Sequence, residues 1–232
     1  MKAIFFGSIG SLVETSEIQR GAFNSAFEAF GLDWHWDRDT YRQMLAESGG
    51  TKRVADYANI RNCDVDASAI HKLKTEIFQE RLWNDGFKFR DGVLDVLGFA
   101  AERNLATGVI SGTEKQTVDL ITTALQGRTG ADLNIVTSRA EGCAEKPSPD
   151  LYHFALNALA LKPSSVVAIE DNQCGLDAAK AANIPTVSFS GANTPPIHCG
   201  SYDLVVERDL LTSVQALSNY RLSTARPIQT QV

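Results

Sequence analysis

The chain has 232 residues, 44% of them hydrophobic and 22% charged, and carries a net charge of −6. This composition is typical of a globular protein large enough to bury a sizeable core. The negative charge and the lack of a Lys/Arg cluster argue against a nucleic-acid partner. No apolar run approaches the roughly 20 residues that cross a bilayer, and the N-terminus lacks a signal-peptide pattern. We therefore expect no membrane partner and a cytoplasmic location. Scattered cysteines without a Cys-x-x-Cys pair predict reduced thiols at Cys63, Cys143, Cys174 and Cys199.

Short apolar runs alternate with helical patterns along most of the chain. The apolar runs predict buried strands at 3–6, 105–110, 133–137, 166–169, 185–188 and 203–206. Apolar residues at three- and four-residue spacing predict amphipathic helices at 92–103, 114–126, 150–160 and 174–183. Strands that alternate with helices of this length form right-handed βαβ units. The predicted fold class is therefore α/β, with a Rossmann-like, doubly wound parallel sheet.

The interval from 15 to 86 breaks this alternation. Its apolar residues form two helical stripes, which end at Gly31 and near Gly86, and two short helices fit between 40 and 59. We therefore predict a helical cap domain at 15–86, inserted into an α/β core made of 1–14 and 87–220. Such an insert lies over the carboxyl ends of the strands, where open α/β sheets bind ligands. Residues 221–232 are polar and are expected to form a loose tail.

The loop after the first predicted strand carries no acid, base or thiol anywhere in residues 3–13. The next two loops are better suited to bind an anion. Ser111 and Gly112 precede a helix, where a hydroxyl and free N–H groups bind anions, although such residues also serve as an ordinary helix cap. Lys146 stands before Pro147, and its ammonium either pins a phosphate or belongs to a surface lysine.

The fourth loop brings two carboxylates together. Glu170 and Asp171 follow an apolar strand, and adjacent carboxylates repel each other unless a cation is near. Mg²⁺, which takes oxygen ligands, is one such cation. A structural ion pair with Lys146 is the alternative, and this loop alone does not decide between the two.

Taken in order, the four loops resemble the four motifs of the haloacid dehalogenase superfamily. The fourth motif, E-D-S-x-x-G-x-x-A-A-x-x-A-G, is matched at Glu170, Asp171, Gly175, Ala178, Ala179 and Ala182, with Asn172 in place of Ser and Asn183 in place of Gly. The insert looks like that of the CbbY-type sugar-phosphate phosphatases, relatives of β-phosphoglucomutase. The stretches that carry this likeness are AFNSAFEAFGLDWHWD, the two glycines at 49 and 50 followed by Arg53, and HKLKTEIFQE.

The resemblance implies a Mg²⁺-dependent phosphatase of small phosphorylated metabolites such as sugar phosphates, acting as a monomer or small homo-oligomer. It implies that phosphate and substrate are bound by Ser111, Gly112, Lys146, Thr15, Gln19 and Arg53. It implies metal binding by Glu170 and Asp171. The substrate-facing positions differ in part, since Gln19 replaces a usual His and Thr51 a usual Lys.

The first motif departs from the family pattern D-x-D-G-T. The register set by Gly10 and Ser11 places Gly7 and Ile9 at the two aspartate positions. In the family the first aspartate attacks phosphorus and binds Mg²⁺, and the second transfers protons, so both roles need a carboxyl group. Alternate side chains of an extended segment point to opposite faces, so we expect the Ser8 hydroxyl to face away from the reacting phosphorus.

Two functions follow from this departure. In the first, the protein is a pseudoenzyme that has lost its catalytic pair and retains at most the binding of phosphate or a phosphosugar. In the alternative, it is an active phosphate-ester hydrolase that uses a non-standard nucleophile or a metal-activated water. The family resemblance does not choose between them, because fold-level analogy is a weak warrant for activity.

Overall fold

A computed structural model describes residues 1–45, 49–191, 193–195, 197–198, 200, 202–206 and 209–224. For residues 219–224 it describes the backbone alone. The strands of this part are β1 (Ala3–Phe6), β2 (Ala106–Ile110), β3 (Ile135–Thr137), β4 (Val166–Glu170), β5 (Thr186–Ser188) and β6 (Leu204–Val205). Its α-helices are α1 (Ser16–Ala29), α2 (Arg38–Met44), α3 (Gly50–Arg61), α4 (Ala67–Asp85), α5 (Val93–Glu102), α6 (Lys115–Thr129), α7 (Asp150–Ala158), α8 (Gln173–Ala181) and α9 (Leu210–Thr224).

The strands form one parallel sheet in the order β3-β2-β1-β4-β5-β6. This is the strand order of a doubly wound fold whose direction of winding reverses between β1 and β4. Every predicted strand is present, and the predicted fold class is confirmed. Ligands bind such sheets beyond the carboxyl ends of the strands at the point of reversal, which here lies just after Phe6 and Glu170.

Helices cover both faces of the sheet because the side chains of β1 alternate between two apolar clusters. Ile4 and Phe6 pack in one cluster with α5, α6 and α9, whereas Ala3 and Phe5 pack in the other with α7 and α8. All four β1 residues are fully buried. The strand that ends at Gly7 is therefore held from both sides.

Helices α1 to α4, here called the insert, have an apolar cluster of their own. Trp36 lies at its centre, with ring centroids 4.7 Å from Phe27 and 4.8 Å from Phe23. Phe78 and Leu82 of α4 pack instead with the larger cluster of the sheet. The insert is thus tied to the sheet by the same helix that contributes to its own core.

The chain leaves and re-enters the α/β core at one point. Val13 and Phe89 pair in an isolated antiparallel bridge. The Arg90 guanidinium donates hydrogen bonds to the carbonyl oxygens of Gly10 at 2.9 Å, Phe189 at 2.8 Å and Ser190 at 2.7 Å. This arginine fixes the loop after β1 against the loop after β5.

The expected loose tail is wrong for its first residues, because α9 continues to Thr224. Residues 225–232 of that prediction lie outside the described part of the chain. Cys63, Cys143 and Cys174 are free thiols, and Cys199 is not among the described residues. Within the described residues, no helix combines the length and apolarity needed to cross a membrane.

Candidate functional site

A cleft of about 420 Å³ opens at the carboxyl ends of β1, β2 and β4, beneath α1, α3 and α4. It is lined by all of the site residues predicted from the sequence except Glu170: Gly7, Ile9, Thr15, Gln19, Arg53, Ser111, Gly112, Lys146 and Asp171. Glu170 is fully buried beneath the cleft floor. We call the side formed by the strand ends the loop end, and the side formed by α1, α3 and α4 the helix end.

Position 7 of the loop end has no room for a side chain. A Cβ atom built on Gly7 would overlap the carboxyl group of Glu170 and the hydroxyl of Tyr152. The backbone of Gly7 is fixed at the same time, because its N–H donates to the carbonyl oxygen of Ile169 at 2.8 Å. The space that an aspartate would use at this position is therefore filled by another acid.

Position 9 is turned into the protein. Ile9 begins a 3-10 helix, Ile9–Ser11, and its side chain is only 6% exposed within the larger apolar cluster. An isoleucine stabilises this position by burial, whereas a carboxylate in the same surroundings would be desolvated without a partner. The side chain at the second aspartate position thus packs in the apolar core, although Ile9 also borders the cleft.

Lys146 joins three strand ends. Its ammonium donates to the carbonyl oxygen of Gly7, to that of Ile110 at 2.9 Å and to Glu170 Oε1 at 2.6 Å. An ammonium has three protons, so these three acceptors use all of its donors. The sequence allowed either a Mg²⁺ ion or an ion pair with Lys146 beside the two carboxylates, and the structure contains the ion pair.

Glu170 is held through one of its two carboxylate oxygens. Tyr152 donates its hydroxyl to Oε1 at 2.7 Å, and Oε2 has no hydrogen-bond partner among the described residues. A Cβ on Gly175 would overlap the same carboxyl group, so Oε2 faces the first turn of α8. Burial raises the pKa of Glu170, while the neighbouring Lys146 ammonium acts in the opposite direction.

Asp171 is held mainly by a residue for which we expected another orientation. Ser8 donates its hydroxyl to Asp171 Oδ1 at 2.5 Å, and Asn172 donates to the same oxygen at 3.0 Å. The Ser8 hydroxyl therefore lies at the cleft beside Asp171, which the alternation of side chains did not predict. Alternation fails here because Ser8 is the N-cap of the 3-10 helix and also accepts the Ser11 N–H at 3.2 Å, so the strand geometry has already ended.

The carboxylates of the loop end do not fit a Mg²⁺ ion. Mg²⁺ needs several oxygen ligands directed at one point. Glu170 Oε1 is engaged by Lys146 and Tyr152, and Asp171 Oδ1 by Ser8 and Asn172. Glu170 Oε2 has no hydrogen-bond partner among the described residues, but it is buried against Gly175. No group of three His, Cys, Asp or Glu side chains in the described part of the chain is arranged to hold a metal.

Ser111 serves the turn in which it lies. Its hydroxyl accepts the N–H of Thr113 at 3.1 Å, and its carbonyl oxygen accepts the hydroxyl of Thr137 at 3.0 Å. The side chain is nearly buried, and α6 begins four residues later at Lys115. The helix-cap role that the sequence allowed is not the one present, because the N-cap of α6 is Glu114 and Ser111 bonds within the turn before the helix. The neighbouring Gly112 lines the cleft.

The helix end contains a buried cation that the sequence analysis missed. Lys74 of α4 is 5% exposed and donates to Gln19 Oε1 at 2.9 Å. Its ammonium also lies 4.8 Å from the ring centroid of Phe23 and 5.0 Å from that of Phe78. Among the described residues it has no carboxylate partner. The overlooked signal was its place at four-residue spacing between the buried Ile70 and Phe78.

Other groups at the helix end are basic or neutral donors. Gln19 also donates to Thr15 Oγ1 at 3.2 Å, and Arg53 donates to the carbonyl oxygen of Met44 at 3.0 Å. Burial lowers the pKa of Lys74 to about 7, assisted by the charge of Arg53. Burial, together with Lys74, Arg139 and Arg53, lowers the pKa of His71 to about 4. Lys74 and Arg53 give this side of the cleft its positive charge, which favours an anionic group, while Glu14 lines the cleft next to Thr15.

The fold and the cleft define a class of protein, namely doubly wound α/β proteins with a cleft at the ends of β1 and β4 beneath a helical insert. A family model described as haloacid dehalogenase-like hydrolase matches residues 10–189, and the chain belongs to this family. The match begins directly after Ile9. The resemblance drawn from the four loops is confirmed.

Two relatives and two crystal structures show which members of the family this chain is similar to. Protein CbbY of Cereibacter sphaeroides is 34% identical over 198 residues, which are 84% of this chain and 86% of that protein. The phosphorylated carbohydrates phosphatase of Thermotoga maritima is 23% identical over 190 residues, 81% of this chain and 84% of that protein. A crystal structure of CbbY from Rhodobacter sphaeroides in complex with phosphate has a TM-score of 0.79 at 30% identity, covering 89% of this chain and 94% of that chain. A mutant of that CbbY in complex with xylulose-(1,5)bisphosphate has a TM-score of 0.78 at the same identity and coverage.

Proposed function

We propose that this protein binds a small phosphorylated sugar in the cleft and does not cleave it through an aspartyl-phosphate intermediate. The observation that carries the proposal is the packing of Glu170 and Tyr152 into the space beside Gly7. A carboxylate nucleophile has no place at that position. Removal of a covalent nucleophile typically lowers turnover on the order of 10⁴- to 10⁶-fold, so ordinary family catalysis is closed to this protein.

The binding half of the proposal rests on the size and charge of the cleft. A volume of about 420 Å³ lies in the range of pockets for small ligands. Lys74 offers a buried ammonium without a carboxylate partner among the described residues, and Arg53 adds a second cation at the same end. The phosphate and sugar bisphosphate in the CbbY crystal structures suggest the ligand class. In this proposal Gln19, Arg53 and Lys74 contact the anionic group, and the backbone at Gly112 approaches the other end of the ligand.

The binding test compares xylulose, xylulose 5-phosphate and xylulose 1,5-bisphosphate by isothermal titration calorimetry. We expect the two phosphorylated ligands to bind and the free sugar not to bind. Lys74→Met should weaken binding about 10-fold or more, the size of a charge-assisted hydrogen bond. The matched control is Lys115→Met, an exposed lysine on α6. No binding of either phosphorylated ligand at millimolar concentration would remove the proposed function.

The catalytic half is tested separately by phosphate release from the same esters, with and without Mg²⁺. We expect turnover far below about 1 s⁻¹, the low end of ordinary enzymes. Turnover above that value would show that the loop end catalyses despite Gly7 and Ile9.

One contact favours the alternative function, a slow phosphate-ester hydrolase with a different nucleophile. A hydroxyl within hydrogen-bond reach of a carboxylate is the arrangement of an activated nucleophile, and Ser8 lies 2.5 Å from Asp171 Oδ1. In that reaction Ser8 Oγ bonds to phosphorus as its proton passes to Asp171, and the bond between phosphorus and the sugar oxygen breaks, with the sugar oxygen taking the proton from Asp171. Water then attacks the phosphoserine and gives a proton to Asp171, which passes it to Ser8 Oγ as the bond between Ser8 and phosphorus breaks and phosphate leaves.

This alternative predicts a phosphoserine at position 8. Mass spectrometry of the protein after incubation with xylulose 1,5-bisphosphate would detect it, and Ser8→Ala and Asp171→Asn would abolish both the modification and any residual turnover. Residual turnover that survives in Ser8→Ala would exclude Ser8 as the nucleophile.

A further inference from the structure

We infer that Lys146 is the resident cation of the loop end, taking the place of a divalent metal, so that the fold and the cleft are independent of Mg²⁺. The inference goes beyond the proposed function and does not depend on any ligand. It rests on the contacts of Lys146, Glu170 and Asp171 and on two glycines that make room for them.

The first observation is the position of the ammonium. Its three acceptors belong to the ends of three different strands: the Gly7 carbonyl after β1, the Ile110 carbonyl in β2 and the Glu170 carboxylate in β4. The lysine side chain is 12% exposed and the glutamate side chain is fully buried. A single internal charge thus holds together the point at which the sheet reverses its winding.

The second observation is the space given to the glutamate. A Cβ at Gly7 and a Cβ at Gly175 would each overlap the Glu170 carboxyl group. The carboxylate therefore lies between two positions without side chains, turned away from the cleft and toward Lys146 and Tyr152. To ligate a metal in the cleft, it would have to leave this packed arrangement.

The third observation is the charge balance of Asp171. Ser8 and Asn172 donate to its Oδ1, and a Cβ at Gly10 would overlap its Oδ2. Arg90 interacts with it electrostatically across the same loop. Arg90 faces Glu14 as well, so Lys146 balances the charge of Glu170 and Arg90 offsets part of that of Asp171, which reduces the repulsion between the two adjacent carboxylates.

The test on the wild-type protein uses metal alone. Thermal unfolding is followed with up to about 10 mM Mg²⁺ against NaCl of matched ionic strength, and Mn²⁺ binding is followed by electron paramagnetic resonance. We expect the Tm to stay within about 1 °C of the NaCl control, with no saturable Mn²⁺ binding. A saturable rise in Tm or a bound Mn²⁺ signal would overturn the inference. Since no sugar phosphate is present, this outcome is independent of the proposed function.

The test on variants asks whether the lysine acts by neutralising the glutamate. Lys146→Met should lower the Tm strongly, and the double variant Lys146→Met/Glu170→Met should recover much of the loss, because it removes both charges at similar volume. Lys115→Met is the matched control, since its ammonium also lies 2.6 Å from a carboxylate but on the surface. A double variant no more stable than Lys146→Met would contradict the inference. If Lys146→Met does not fold, the inference is still tested in two ways: by the Mn²⁺ measurement on the wild-type protein, and by whether the double variant folds.

Discussion

The carboxyl group of Glu170 occupies the space in which any side chain at Gly7 would begin. The two residues are separated by most of the chain, yet the absence of one side chain determines where the other lies. Position 7 supplies only a carbonyl oxygen to Lys146, and position 170 supplies the buried carboxylate.

The first prediction concerns this packing. Gly7→Ala should lower the free energy of unfolding by about 1–3 kcal/mol, because the new methyl group overlaps Glu170 and Tyr152. Gly98→Ala is the control: this exposed glycine lies inside α5, with no atom near its added Cβ among the described residues. The control should stabilise by about 0.5–1 kcal/mol. Urea unfolding measures both, and equal effects would refute the packing argument.

The overlap between a side chain at position 7 and Glu170 also affects any attempt to restore the two aspartates of the first motif. Gly7→Asp with Ile9→Asp restores both carboxyl groups in sequence, but the new aspartate side chain at position 7 has to displace Glu170, and the second change buries a carboxylate in the apolar cluster. We expect this double variant to be destabilised and inactive toward phosphate esters. Phosphate release by a folded double variant would mean that Glu170 moves at little cost.

The second prediction compares two ion pairs of equal length. Lys146 and Lys115 both lie 2.6 Å from a carboxylate, the first pair buried and the second exposed. Lys146→Met should cost about 3–5 kcal/mol, because it leaves Glu170 buried without its counter-charge. Lys115→Met should change stability by less than about 1 kcal/mol. Urea unfolding at pH 7 measures both, and similar losses would mean that the burial of Glu170 is unimportant.

The third prediction is a pH dependence from Lys74. Its pKa in the folded protein is lowered to about 7 by burial, against roughly 10.4 in an unfolded chain. Between these values the unfolded state holds one more proton, so this residue makes the free energy of unfolding rise with pH by up to about 1.4 kcal/mol per unit. Below pH 7 the ammonium is charged in both states and its burial penalty is fully present.

Lys74→Met checks this dependence. The difference in unfolding free energy between wild type and variant should change steadily from about pH 7 to about pH 10, with the variant favoured most at the acid end. Its titratable neighbours do not interfere, since burial lowers the pKa of His71 to about 4 and raises that of Tyr41 to about 12. Parallel stability curves would mean that Lys74 titrates normally in the folded protein.

The fourth prediction concerns the point where the chain re-enters the core. Arg90→Met removes three hydrogen bonds to carbonyl oxygens and should destabilise by about 2–4 kcal/mol. Arg103→Met is the control, because Arg103 is exposed and stacks on Phe99 at 4.8 Å from the ring centroid. Its loss should cost less than about 1 kcal/mol. Thermal unfolding distinguishes the two arginines, and equal shifts in Tm would contradict this assignment.

Local pattern was sufficient for the strands and for helices α5 to α8 of the core, whereas α9, which packs in the larger apolar cluster, was not predicted. Buried strands read as apolar runs because the parallel sheet is covered on both faces, and the helices follow from three- and four-residue spacing. The identity of the side chains at positions 7 and 9 also needs no coordinates, since their place after β1 follows from the register of Gly10 and Ser11. The error at α9 has a local cause: polar residues at a chain end carry little periodic signal, although they continue the helix to Thr224.

What occupies the space beside Gly7 was decided only by the tertiary structure. Lys146 reaches the Gly7 carbonyl across 139 residues, Ser8 reaches Asp171 across 163, and Lys74 reaches Gln19 across 55. The sequence shows which side chains are present and on which strand, helix or loop they lie. Which acceptor an ammonium or a hydroxyl selects depends on the packing of several elements at once. The chain's membership of the haloacid dehalogenase-like family could therefore be predicted from its residues. The ion pair of Lys146 with Glu170 was one of two alternatives that the sequence left open, and only the tertiary structure shows it.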